Sequence, residues 1–266
     1  MELIDIGANL AHRAFASDLP GTLDRARKAG VQSIIVTGGN LATSKAAAAL
    51  ASQHPGFLFS TAGVHPHDSG KCSNDQVESM VKKLCEEKQV VAIGECGLDF
   101  NRDFSPRPEQ GRRFEKQLQL ACELGKPLFL HERDAHKRFI EIVTPYRSHF
   151  ECGVVHCFTG TKQQLRGYLD LGLHVGITGW ICDESRGAEL RDSIRDIPID
   201  RLMIETDAPF LMPRNAPGHG RKANEPAFLT YVLRMVSKCC GLPEEEVAAR
   251  TTTNARRFFK LSGESQ

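Results

Sequence analysis

Eight times along the chain a short apolar run is followed by a longer stretch with helical spacing, and this repetition restricts the fold more than any other feature. The runs are 2–7, 33–38, 58–63, 90–95, 127–132, 153–158, 174–179 and 202–207. They are rich in Val, Ile and Leu, as expected of parallel strands buried on both faces. Between them, 76–87, 109–124, 135–144 and 162–171 show 3.6-residue periodicity and are long enough for crossover helices. Gly30, Gly125 and Gly172 precede the next strand, where a helix C-cap belongs. Two further helical patterns, 227–239 and 243–259, follow the eighth run. Eight such units predict the α/β class and a (β/α)8 TIM barrel, with 1–266 as a single domain. An open doubly wound sheet is the rival, but Gly7-Ala8-Asn9-Leu10 offers no GxGxxG turn after the first strand. The irregular stretch 209–226 follows the last strand and reads as an active-site loop.

Charge narrows the partners. Lys and Arg total 34 against 33 Asp and Glu, a net charge of +1, so any hold on a polyanion must come from local cations. The nine cysteines show no CxxC pair and read as free thiols of a reducing compartment. The first residues lack a signal-peptide layout, and no apolar run reaches the length of a membrane span. The expectation is a soluble, intracellular, cytoplasmic monomer that is neither secreted nor bound to a membrane.

The polar residues of interest fall at the carboxyl ends of the strand runs. Glu95 ends the fourth, His131 and Glu132 the fifth, His156 sits late in the sixth, and Glu205 and Asp207 end the eighth. Barrel enzymes build their sites on that face. An ionisable group there costs desolvation energy unless it is paired or holds a cation, and two imidazoles with two carboxylates form a recognised mixed ligand set. A lone strand-end histidine is more often a satisfied core residue; the ordered series Glu, His, His, Asp favours a metal.

These blocks resemble the TatD family of metal-dependent deoxyribonucleases, within the amidohydrolase-like barrel group. The resemblance runs through Thr61-Ala62-Gly63-Val64-His65-Pro66-His67-Asp68, Ile93-Gly94-Glu95-Cys96-Gly97-Leu98-Asp99-Phe100 and Leu130-His131 with Arg133-Asp134-Ala135-His136. It continues through His156-Cys157-Phe158-Thr159-Gly160, Ile177-Thr178-Gly179-Trp180, Ile204-Glu205-Thr206-Asp207-Ala208-Pro209 and Asn224-Glu225-Pro226, spanning the chain. It implies a 3′–5′ exonuclease on single-stranded or frayed DNA, with RNA as a second substrate. It also implies a role in DNA repair or nucleic-acid turnover and one or two divalent ions, magnesium first, with manganese or zinc as alternatives. The family's metal positions fall on Glu95, His131, His156 and Asp207. One departure stands out: where the wider group carries His-x-His after the first strand, this chain has Gly7-Ala8-Asn9. Asn9 offers either a carbonyl ligand to a second ion or a turn residue bonding its own backbone.

On this reading Glu95 anchors the metal and Asp207 takes the proton from the attacking water. Glu205 has either a direct role or a structural pairing. Substrate contacts are expected from His65, Arg133 and Trp180, with Arg102, His136, Arg214, Arg221, Lys222, Phe100, Phe158 and Phe210 as further candidates near the rim. Cys96 lacks a general-base partner and is not read as a nucleophile. The rival functions are a zinc-type hydrolase of an amide, lactone or aminoacyl ester, and a catalytically silent nucleic-acid-binding protein.

Overall fold

The computed structural model describes residues 1–218, 220 and 223–261. Arg221 and Lys222, expected near the substrate, lie outside the described residues. Eight strands form one sheet in the order of the sequence: β1 (Leu3–Ala8), β2 (Val31–Val36), β3 (Leu58–Ala62), β4 (Val90–Asp99), β5 (Leu128–Arg133), β6 (Gly153–Val155), β7 (His174–Ile177) and β8 (Leu202–Ile204). Ala8, at the end of β1, bridges in parallel to Ala208, just after β8. This cyclic order of parallel strands with helices between them is that of a (β/α)8 barrel. Among the described residues, no helix is long and apolar enough to cross a membrane.

The chain divides into two compact units. The first comprises Met1–Val36, Cys157–Arg166 and the chain from Val175; the second comprises Thr37–His156 and Gly167–His174. In the first unit β1 is buried along its whole length, and α9 (Glu244–Phe259) covers β1 and β8. In the second, α2 (Leu41–Gln53) begins in a capping box in which Asn40 accepts from the backbone N–H of Ala42 and Thr43. Ser73 and Gln76 form another at α3 (Asn74–Cys85). Then α4 (Arg107–Leu124) ends on Gly125 in the left-handed region, φ 60°. Its inner face buries Phe114, Leu118 and Ala121, and Phe114 stacks on Phe139 at 5.2 Å.

The strands differ from expectation where chemistry is concentrated. β4 does not end at Glu95; it continues to Asp99. Its pairing with β5 shifts register between Ile93 and Cys96; Gly94 within the shift and Gly97 just after it take φ values of 134° and 148°. A Cβ at Gly94 would lie 2.1 Å from the Phe129 carbonyl oxygen, and one at Gly97 would lie 1.9 Å from that of His131. Only glycine permits this approach. β8 stops at Ile204. Thr206 turns its N–H and hydroxyl to the Asp5 carboxylate, at 2.9 and 2.5 Å, and Asp207 takes φ 54°.

Candidate metal centre

The second unit gathers three imidazoles around one buried carboxylate. His131 Nδ1 and His156 Nε2 each lie 2.8 Å from Glu95 Oε1, and His65 Nε2 lies 3.2 Å from it. Each element supplies its residue for a local reason. Glu95 lies within the register shift of β4, with its N–H held by the Gly38 carbonyl at 2.7 Å. His131 is the fourth residue of β5. His156 follows β6, its N–H bonded to the Leu130 carbonyl at 2.9 Å and its ring stacked on Phe129. A second carboxylate, Asp99, stands behind them: its Oδ2 is 2.7 Å from His67 Nε2 and 3.5 Å from His131 Nε2.

Electrostatics follow from that crowding. Burial alone would raise the Glu95 carboxyl, but the charges of His156 and His65 and the hydrogen bonds of His131 and His156 hold it well below the usual carboxylate range. Burial likewise opposes ionisation of Asp99, yet His131, His67 and the Arg102 N–H keep it low. Burial lowers His65 to about 4, against the pull of Glu95, so this ring is neutral near pH 7. Burial also works against a charged His131, but Asp99 and Glu95 raise it.

The donors suit a divalent cation. His65, Glu95 and His131 can each present a ligand atom, all within 4.8 Å of one another. Among the described residues, buried His131 Nε2 has no hydrogen-bond partner closer than its 3.5 Å approach to Asp99 Oδ2. An anionic oxygen surrounded by ring nitrogens is stabilised by a positive ion in place of protons. The tautomers separate the histidines. The His67 backbone N–H donates to His65 Nδ1 at 3.1 Å, so the proton of neutral His65 sits on Nε2 and points at Glu95. In that state His65 Nε2 is a donor, not a ligand. His131 Nδ1 and His156 Nε2 face the same Glu95 oxygen, each at 2.8 Å.

The remaining residues singled out in the sequence are distributed as follows. Asp207, in the first unit, has its Oδ1 bonded by Asn9 Nδ2 at 3.0 Å. Asn9 thus gives its side chain to a carboxylate, while its carbonyl accepts from His12 in a turn. Glu205 is fully buried, and its Oε1 accepts from the Cys157 N–H. Glu132 accepts from the Ala135 N–H and the Tyr168 hydroxyl, which accounts for its carboxylate structurally. Arg133 Nε lies 4.0 Å from Asp134. Trp180 packs one face against Arg186 at 4.4 Å and donates its indole N–H to the Arg186 carbonyl. Arg214 is tied to Asp183 at 2.8 Å, His136 packs against Tyr168, and Phe158 is buried. Phe210 is half exposed. Burial and the neighbouring Glu95 push the Cys96 thiol far up, which removes it as a nucleophile.

Sequence reasoning missed Asp99, His67 as its partner, and Phe104, which is 67% exposed and lies edge-on to His67 at 4.7 Å. Asp99 stood four residues after Glu95 with the same parity, and that spacing was the available signal.

A (β/α)8 barrel with a buried carboxylate ringed by imidazoles defines a divalent-metal-dependent hydrolase. The chain belongs to the TatD-related DNase family, whose model matches residues 4–260. It is 48% identical to a 3′–5′ ssDNA/RNA exonuclease TatD of Erwinia tasmaniensis, over 97% of this chain and 100% of that one. It is 49% identical to a protein of the same description from a Rahnella species, over 98% and 99%. Among solved structures, a TatD family hydrolase from Entamoeba histolytica superposes with a TM-score of 0.87 at 27% identity, over 98% of this chain and 99% of the other. A TatD homologue from Escherichia coli gives 0.87 at 29%, over 97% and 98%.

Proposed function

We propose that this protein is a divalent-metal-dependent exonuclease that hydrolyses phosphodiester bonds of single-stranded DNA in the 3′–5′ direction and accepts RNA as well. The observation that carries the reading is the convergence of His131 and His156 on the buried Glu95 carboxylate, in a chain 48% identical to relatives of that description. Glu95, His131, His156 and Asp207 would hold the ion, and the whole chain acts as one domain. Magnesium is the first choice; the imidazole donors keep manganese and zinc as the alternatives. When bound, the ion supplies positive charge against the negative charge that grows on the scissile phosphate. Glu95 fixes the two rings and offers a permanently ionised oxygen. Asp207, oriented by Asn9, accepts the proton of the attacking water. His65 contacts the substrate, Arg133 adds a cation, and Trp180 stacks on an unpaired base. We assign the protein to the cell interior as a monomer, acting in DNA repair or nucleic-acid turnover.

The test is a 5′-labelled single-stranded oligonucleotide incubated with the protein, with and without EDTA, and with Asp207→Asn. Progressive shortening from the 3′ end that EDTA abolishes is the expected result. Asp207→Asn should slow it on the order of 10²- to 10⁴-fold while binding survives. Cleavage that ignores EDTA, or hydrolysis confined to ester and lactone substrates, sinks the reading.

A further inference from the structure

Helix α4 carries two glutamines, Gln110 and Gln117, that are fully buried. Seven residues apart, they share one face, separated by about 10 Å along the axis. Each brackets the N–H and C=O of one residue between the two ends of its amide, and each Nε2 donates to one further carbonyl, that of Ser105 or Arg113. Gln117 Oε1 accepts from Val64 N at 2.7 Å, and its Nε2 donates to Val64 O at 3.1 Å. Gln110 Oε1 accepts from Asp99 N at 2.8 Å, and its Nε2 donates to Asp99 O at 3.1 Å and to Ser105 O at 2.9 Å. An amide bonded in this way stands in for a neighbouring strand. Val64 directly precedes His65, and Asp99 is the carboxylate that meets His67 and His131.

The same helix and its lead-in fasten the loop at further points. Arg113, between the two glutamines, donates to the Cys72 carbonyl at 2.7 Å. Ser105 Oγ donates to the His67 carbonyl and accepts from the Gly70 N–H, both at 2.9 Å. The segment that carries His65 and His67 is therefore held at Val64, His67, Gly70 and Cys72. A face meant only to fill the core would use residues like Phe114 and Leu118; a buried amide costs desolvation energy unless every bond is made.

We propose that Gln110 and Gln117 are positioning residues of the metal centre: they set where His65, His67 and Asp99 stand relative to Glu95 and His131. The proposal rests on the metal-centre reading above. A role confined to satisfying backbone groups predicts lost stability and nothing more, so the readout is Mn²⁺ affinity by calorimetry, alongside Tm and separate kcat and KM. Gln117→Met should weaken Mn²⁺ binding about tenfold, the scale of lost outer-shell support, and lower kcat with KM within about twofold. Gln117→Glu should restore affinity to within about threefold, because a buried, protonated carboxyl can accept from Val64 N and donate to Val64 O. Leu118→Val, on the same helix, should lower Tm and leave Mn²⁺ affinity within about twofold. Gln110→Met tests the Asp99 end. Gln117→Asn, a shorter amide that must also bind Mn²⁺ more weakly, covers a Gln117→Met that does not fold. Wild-type affinity in Gln117→Met and Gln117→Asn, or an equal loss in Leu118→Val, overturns the proposal. Calorimetry is done without nucleic acid, so a wild type that binds Mn²⁺ but cuts nothing would sink the nuclease reading and leave this comparison decisive.

Discussion

Replacing Gly97 with alanine tests how the sheet sets the metal centre. Gly97 is paired in register with His131. An added Cβ would sit 1.9 Å from the His131 carbonyl oxygen and 2.8 Å from its carbon, on backbone with φ +148°. Relief requires the two strands to part by at least about 1 Å, since real Cβ contacts do not fall under 3.0 Å. The backbone strain costs about 1–3 kcal/mol, and forcing an extra carbon into close packing costs about 1–3 kcal/mol more. A total of about 2–6 kcal/mol is a large share of the roughly 5–15 kcal/mol that holds a domain together. A displacement of that size also breaks the 2.8 Å contact between His131 and Glu95, so metal affinity should fall with stability. Urea denaturation followed by circular dichroism gives the first quantity and Mn²⁺ calorimetry the second. Gly125→Ala is the control: it is also left-handed, at φ +60°, but no atom of the described residues lies within 4 Å of its added carbon, so it should cost about 1–2 kcal/mol. If Gly97→Ala is no worse than Gly125→Ala, the close approach does not constrain the site and the argument is wrong.

Three other outcomes are expected. His131→Ala should weaken Mn²⁺ binding about tenfold or more; an affinity within about twofold of wild type would remove His131 from the ligands. Burial raises the Asp5 carboxyl from 3.8 to about 7, against the hydrogen bonds of Thr206. The folded state therefore holds that proton more tightly than the unfolded chain, and the associated stability is full below about pH 4 and lost as pH rises through 7. Asp5→Asn should flatten that fall by up to roughly 4 kcal/mol, and stability curves of wild type and variant that run parallel from pH 4 to 8 refute it. Binding of single-stranded oligonucleotides, with catalysis blocked by Asp207→Asn, should show a log–log salt slope on the order of −2 to −3. Trp180→Ala should raise Kd without changing that slope, and a steep slope or an unmoved Kd would place recognition elsewhere.

The repeating architecture was legible because it rests on burial. β1, β3 and β5 lie within one or two residues of their apolar runs, and α4 and α9 begin and end almost where periodicity places them. A residue covered on both faces must be apolar whatever its neighbours do, so composition alone reports it. Gly125 was legible as a cap for a similar reason: its left-handed φ is set by the chain within one turn.

The site was legible in residue type but not in geometry, because its residues stand where regular structure gives way. Glu95 lies beside a register shift, Cys157 after His156 has φ 48°, and Asp207 has φ 54° just past β8. Periodicity is silent at such positions, so the sequence marks the carboxylate and the imidazoles but not which oxygen each nitrogen meets. The protonation of His65 illustrates the limit. It depends on one N–H, two residues further along, reaching Nδ1, and no spacing rule carries that. The glutamines of α4 mark a different limit. Gln110 and Gln117 looked like ordinary polar positions, yet their separation of seven places them with Phe114 and Leu118 on the covered side of the helix. A polar residue at an apolar phase must find partners or destabilise the fold. Read that way, the two amides already called for unpaired backbone nearby, and strand-to-helix loops that carry functional side chains are where such backbone is found.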